Sequence, residues 1–264
     1  MKKLLAMVMC VCLAVMFTAC GKGKDQSDSE YVKEKGKLVI GITDYAPMDY
    51  EKTKGSGEWI GFDADMAKAF AKELGVEAEF VVIEWDNKLM ELKGKSIDCV
   101  WNGMTITDEV KNGMEVSNAY CKNTQVVVVK KDVADKYKTV ESVKDLKFAA
   151  EAGSAGEEAL KALNYNVTAV TAQVDALMEV NAGTSDAAVI DLLMAGAMVG
   201  EGTSYENLAY TVGVAEEEDY GVGFRKGSDL TEKINQFFKD SYSDGSMLET
   251  AKTYGVQESI IEQK

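Results

Sequence analysis

Across residues 37–200 the sequence alternates short apolar runs with stretches of helical periodicity, and it does so in two successive sets. Parallel strands cannot be joined by tight turns, so this alternation predicts sheets whose strands are linked by helical crossovers. In the first set, residues 37–43 (KLVIGIT) read as a strand. Phe62, Met66, Phe70 and Leu74 then recur at helical spacing, with Asp63 near the start and Gly75 past the end. A strand over 76–83, a short helix over 85–93, a short buried strand over 98–101 and a brief helix after Asp108 complete the set. The second set reads as strands over 147–152, 167–171 and 186–190, with helices over 156–163, 173–181 and 192–200. Helices over 230–242 and 247–254 close the chain.

Two long strands, 124–130 (TQVVVVK) and 219–226 (DYGVGFRK), join the sets, and the second returns the chain to the first. An unbroken apolar run such as 124–130 is expected where both faces of a sheet are covered. The predicted fold is therefore α/β, with two lobes of parallel-rich sheet flanked by helices, a two-strand hinge and an interlobe cleft. Residues 35–127 with 220–264 form lobe 1, and 128–219 form lobe 2. Ligands in open α/β sheets lie beyond the C-terminal ends of strands. That rule sets Gly103, Met104 and Thr105 on one wall of the cleft, and Gly153 and Ser154 on the other.

The 264 residues include no His, which excludes imidazole as acid, base or metal ligand. A formal net charge of −15 argues against nucleic acid and against an anionic lipid surface as partner. The N-terminus is read separately. Met1-Lys2-Lys3 is basic, and 4–17 is almost wholly apolar, shorter than the ~20 residues of a membrane span. The sequence Phe17-Thr18-Ala19-Cys20 resembles a bacterial lipobox. In this reading 1–19 is a signal peptide, and lipidated Cys20 anchors the chain on the extracytoplasmic face of the cell membrane. The alternative is a plain signal peptide beside an incidental Cys20. The polar stretch 21–30 has no apolar periodicity and reads as a flexible spacer, with the tether extending to residue 34. Cys10 and Cys12 leave with the signal. Cys99 reads as a small core residue, and Cys121 pairs with it only if their Cα atoms lie within about 7 Å. The two form no metal site, and no cofactor motif is present.

A set of blocks then points to one family. They are Lys37-Leu38-Val39-Ile40-Gly41, Tyr45-Ala46-Pro47-Met48, Gly61-Phe62-Asp63-Ala64-Asp65-Met66-Ala67 and Trp85-Asp86, then Gly103-Met104-Thr105-Ile106-Thr107, Ala152-Gly153-Ser154 and Asp186-Ala187-Ala188-Val189-Ile190-Asp191. In this order they resemble the family 3 extracellular solute-binding proteins, the ligand-capturing lipoproteins of bacterial polar amino-acid ABC importers. The resemblance implies two lobes closing on an amino acid, with the permease and ATPase subunits of an importer as partners. It also implies roles. Tyr45 would form an aromatic wall, Gly103 would offer a carbonyl to the ligand amine, and Thr105 a hydroxyl to its carboxylate. Ser154 would open a helix whose N–H groups favour an anion, and Asp191 would pair with the α-ammonium.

Plainer readings stand beside these. Asp191 also fits an N-cap before Leu192. Tyr45 fits a half-buried aromatic, and Thr105 and Ser154 fit strand-end hydroxyls. Trp85 and Trp101 fit either core or cleft, and Asn102 offers hydrogen bonds in place of a small residue. The sequence departs from the family pattern at Met48, at Ala155 and, most seriously, at Val110. There the family has an Arg that grips the ligand carboxylate in a bidentate fork. The one Arg of the chain, Arg225, lies at the far end of a hinge strand. Either Lys111 or Lys122 supplies the charge, or the ligand is less acidic: an amide, an amine or a betaine-like molecule. A dehydratase-like enzyme is the rival class, with Asp86, Glu109, Glu151 and Asp191 as candidate acids and bases. Nothing in the sequence pairs them, so binding without turnover is the reading.

Overall fold

The computed structural model describes residues 26–264; the expected signal peptide and Cys20 lie outside them. The first lobe begins with α1 (Asp28–Lys35), β1 (Lys37–Ile42), a hairpin of β2 (Tyr50–Glu51) and β3 (Trp59–Ile60), α2 (Phe62–Leu74) and β4 (Glu77–Val82). A 3₁₀ turn at Trp85–Asn87 runs into α3 (Lys88–Lys93), followed by β5 (Cys99–Thr105), α4 (Asp108–Gly113), β6 (Glu115–Val116) and β7 (Cys121–Asn123). The second lobe holds β8 (Gln125–Lys130), β9 (Lys147–Glu151), α5 (Ala155–Ala162), β10 (Asn166–Val170), α6 (Gln173–Ala182), β11 (Ala187–Asp191), α7 (Leu192–Met198) and β12 (Leu208–Gly213). The chain then returns through β13 (Glu218–Phe224) to α8 (Leu230–Ser243) and α9 (Ser246–Thr253).

Each lobe is built on one mixed sheet. The first has the order β4-β1-β5-β13-β6 and the second β10-β9-β11-β8-β12. The three strands that open each order run parallel, and the remaining ones are antiparallel additions. In the first sheet the chain goes from β1 to β4 on one side, then to β5 on the other. The second repeats this with β9, β10 and β11. The order therefore reverses between β1 and β5 and between β9 and β11, and such switch points open a crevice at the strand ends. Leu38, Ile40, Phe62, Phe70 and Phe238 fill the first lobe, and Val127, Phe148, Leu160 and Val189 the second, all nearly without exposure. Their burial removes enough apolar surface to hold each sheet against its helices.

Two features depart from the expectation. Residues 28–34 belong to a helix, not to the spacer. Val32 is the one apolar side chain that α1 buries, so no periodicity reveals it. The helix is held by polar means instead. Ser27 and Glu30 form a capping box, Ser29 N–H donates to Asp229 Oδ1 at 2.9 Å, and Arg225 Nε donates to Asp28 at 3.0 Å. The interlobe crossings also come a few residues before both expected boundaries. β8 lies wholly in the second sheet and β13 wholly in the first. The chain thus changes lobe at Thr124, and again over 214–217, where Val214 N–H donates to Gln125 O at 3.0 Å. Cys99 and Cys121 are both buried and free. No helix among the described residues is long and apolar enough to cross a membrane.

Candidate functional site

Between the lobes lies a cavity whose unfilled space, counted together with its opening to solvent, is about 440 Å³. Its first wall is the end of β5 and the start of α3 and α4, with Trp85, Lys88, Asn102, Gly103, Thr105 and Val110. Its second wall is the ends of β9 and β11 with the first turn of α5, which brings Glu151, Gly153, Ser154 and Asp191 to it. Both walls are the switch points of their sheets.

Two Gly positions shape the site, one packing against rings of its own lobe and the other against the opposite lobe. Gly103 has φ of 55°, and a Cβ there would lie 2.5 Å from Tyr45 Cε1. Its N–H donates to Asp63 Oδ2 at 2.6 Å. Gly153 has φ of 68°, and a Cβ there would lie 2.7 Å from Asp86 Oδ1 of the opposite lobe. Either φ strains any other residue. The lobes therefore meet at Gly153, and the conformation is a closed one.

Seven of the residues named from sequence line the cavity: Trp85, Asn102, Gly103, Thr105, Val110, Ser154 and Asp191. Two do not. Tyr45 is fully buried beneath Gly103, with its hydroxyl 2.7 Å from that of Tyr220. It is a support for the floor, not a wall. Trp101 is buried against Phe70, Tyr120 and Phe238 and belongs to the core. Successive strand residues face opposite sides, so Trp101 and Gly103 share a face, and β5 turns toward the cleft only past Trp101. Asn102 borders the cavity with its amide already engaged. Its Oδ1 accepts from Thr43 N–H at 2.9 Å, and its Nδ2 donates to Thr43 Oγ1 at 3.1 Å.

Asp191 is the most heavily bonded group of the site. Its Oδ1 accepts from Tyr220 Oη at 2.6 Å and Gln125 Nε2 at 2.8 Å, and also from Asn123 Nδ2. Among the described residues its Oδ2 accepts only from Gln173 Nε2, which leaves lone-pair capacity there. Burial pushes its pKa up, while the hydrogen bonds from Tyr220, Gln173 and Gln125 pull it back. Asp191 does cap α7 in position, but its side chain makes no cap bond; it is turned to the site. Glu218 on the hinge shares Asn123 and Gln125 as donors, each at 2.6 Å. Ser154 Oγ accepts from Glu157 N–H at 3.1 Å and so works as the N-cap of α5.

Sequence reasoning gave no binding role to Lys88 or Glu151, and both line the cavity. Lys88 opens α3, is only 4% exposed, and has its Nζ 3.1 Å from Gly153 O across the cleft and 3.4 Å from Trp85 O. The ammonium also lies 5.2 Å from the centre of the Trp85 ring. Burial lowers its pKa, with Glu109, Asp86, Glu158 and Glu151 acting the other way. Glu151 is 2% exposed, and its Oε1 has no hydrogen-bond partner among the described residues. Burial, then the charge of Asp191, pushes its pKa up to about 8. Lys111 and Lys122, the cations expected to replace the absent Arg, do not line the cavity. Both are largely exposed, and they pair with Asp108 and Glu217 respectively. Among the described residues no group of three His, Cys, Asp or Glu is placed to hold a metal ion.

This geometry has known counterparts. The model of bacterial extracellular solute-binding proteins, family 3, matches residues 38–257. The arginine-binding extracellular protein ArtP of Bacillus subtilis (strain 168) is 31% identical over 262 residues, which cover 96% of this chain and 98% of that one. Among solved structures, an amino acid ABC transporter substrate-binding protein from Streptococcus pneumoniae bound to L-arginine is 29% identical with a TM-score of 0.79, covering 90% of this chain and all of that one. An ancestral amino acid-binding protein, a precursor of cyclohexadienyl dehydratase, is 31% identical with a TM-score of 0.78, covering 86% of this chain and 99% of that one. The chain belongs to the bacterial extracellular solute-binding proteins, family 3.

Proposed function

We propose that this protein captures an amino acid outside the cytoplasmic membrane and passes it to the permease and ATPase subunits of an ABC importer. One observation carries the reading: the same interlobe cavity holds a buried cation and a buried carboxyl oxygen, of Lys88 and Glu151, that lack ion-pair partners among the described residues. A buried ammonium without a counter-charge and a buried carboxyl oxygen without a hydrogen bond are costly, and a zwitterion supplies both partners at once, its ammonium displacing the proton of Glu151. Asp191 and Glu151 receive the α-ammonium, with the Gly103 carbonyl beside them. Glu109 and Glu158 also border the cavity, so carboxylates outnumber its one Lys and a ligand with a cationic side chain is preferred. The relatives that bind arginine agree with that preference.

Capture and delivery follow from closure. A solute that touches both walls favours the closed state by its differential affinity for it, and two short crossings let the lobes move as rigid bodies. L-Arginine, tested first in a panel of amino acids, is expected to reduce the radius of gyration in small-angle scattering. At a hundredfold excess over Kd it should stabilise the fold by ~2.7 kcal/mol, a rise in Tm of about 5–10 °C. Binding with no compaction would remove the cleft mechanism.

Anchoring through lipidated Cys20 completes the reading, on the strength of the small residues before that Cys. Cys20→Ser should release the protein from the membrane fraction or block its maturation; normal processing with full retention would remove the anchor. Binding without turnover is the favoured activity. The raised pKa of Glu151 is the observation that keeps a dehydratase-like acid in view, together with the ancestral relative. New products in an NMR time course with amino-acid or cyclohexadienyl substrates would establish it.

A further inference from the structure

We propose that Lys88 is the cation that holds the ligand's carboxylate, the role that the resemblance gives to an Arg at position 110. This rests on an amino acid being the ligand. The charge has moved from α4 to α3 while still reaching the same cavity, since Lys88 and Val110 both line it.

Three observations support the assignment. Val110 is only 2% exposed and offers the cavity an apolar surface. Lys88 is the single Lys or Arg on the lining among the described residues, and it is not exposed as a solvated surface charge would be. An ammonium has three donors. Here two go to backbone carbonyls, one from each lobe, and the third has no protein partner among the described residues. Glu109, Glu158, Asp86 and Glu151 are its acidic neighbours, yet none is within ion-pair distance of it among the described residues. The N-terminal turn of α5, headed by Ser154 and Ala155, borders the same space and complements a carboxylate there.

The bond to Gly153 O adds a consequence. Lys88 belongs to lobe 1 and Gly153 to lobe 2, so this contact forms only when the lobes are together. A carboxylate bound by Lys88 is thereby tied to closure. An ammonium is a point charge and not a planar fork, so the site fixes the acid end by charge with less directional demand than an Arg would impose.

The test uses the full chain as wild type, Lys88→Met and Lys88→Arg, each checked for folding by thermal melt. Calorimetry with L-arginine and L-argininamide, which lacks the anionic end, reads the carboxylate contribution. Wild type is expected to favour the acid by about tenfold or more, the worth of one charged hydrogen bond. Lys88→Met loses the bond to Gly153 O for either ligand, so its readout is the ratio of the two affinities: the preference for the acid should disappear, and Lys88→Arg should keep it. If Lys88→Met still favours the acid as wild type does, another group holds the carboxylate and the assignment is overturned. Equal binding of acid and amide by wild type overturns it too, although amino-acid capture stands. If wild type binds no amino acid of the panel, both this assignment and the reading beneath it fall.

Discussion

Asp191→Asn is expected to weaken L-arginine binding by about ten- to a hundredfold, because it removes the charge opposite the ammonium in a buried site. The substitution also disturbs the protein without ligand. Asp191 accepts from Tyr220, Gln125, Asn123 and Gln173 at once. An Asn places an NH₂ where one of those donors points, leaving two donors face to face at a cost of about 1–3 kcal/mol. Thermal melts and calorimetry should therefore move together, with Tm lower and Kd higher. Unchanged affinity in a folded Asp191→Asn protein would show that the amine rests elsewhere, with Glu151 the next group to test.

The second large effect is a pH dependence that runs in opposite directions with and without ligand. Glu151 holds its proton up to about 8 in the fold, chiefly through burial, and ionises near its ordinary value of 4.5 when unfolded. Between these values the folded chain binds more protons than the unfolded chain, so stability is greatest in mild acid. It falls as pH rises through this window, by at most ~1.4 kcal/mol per pH unit for one such group. Asp49 and Asp63 inside lobe 1 and Asp191 and Glu218 at the hinge are shifted upward by burial as well, and they add to the same trend. Ligand binding responds the other way. An ammonium against Glu151 expels its proton, so affinity should climb from pH 6 to pH 8 by up to about tenfold per unit. Glu151→Gln should flatten that climb and raise the Tm of the ligand-free protein at pH 8. An affinity that stays constant across this range would place the ammonium away from Glu151.

Much of this architecture is legible in the sequence because its elements bury apolar faces. The periodicity of Phe62, Met66, Phe70 and Leu74 marks α2, and the Val run after Gln125 marks β8, since burial itself sets those patterns. What escapes is held by polar bonds. Helix α1 buries Val32 alone among its apolar side chains and depends on its caps and on Arg225, so no hydrophobic period announces it. The short strands β2, β3, β6 and β7 are too brief to carry any alternation.

The site divides along the same line. Gly103, Thr105, Ser154 and Asp191 sit at strand ends, where parallel topology alone collects ligands, and each borders the cavity. Lys88 had a visible sign: it opens a short helix beside Trp85, in a chain whose expected Arg is absent. That sign is ambiguous in sequence, because a Lys at a helix start is usually solvated. Only the arrival of Gly153 from the other lobe buries it. Glu151 has the same history, as the last residue of an apolar strand that becomes a lining group when β9 ends at the cleft. Tyr45 and Trp101 show the converse. Their neighbours line the cavity, but the bend at Gly103 keeps both rings underneath it.

In the proposed function the cavity between the lobes is shaped by charge for a zwitterion with excess positive charge. Mass spectrometry of the small molecule released by denaturing the freshly purified protein tests it most directly. The expected compound carries both an ammonium and a carboxylate, and a basic side chain with them. Release of an anion without an amine, or of an uncharged solute, would contradict it.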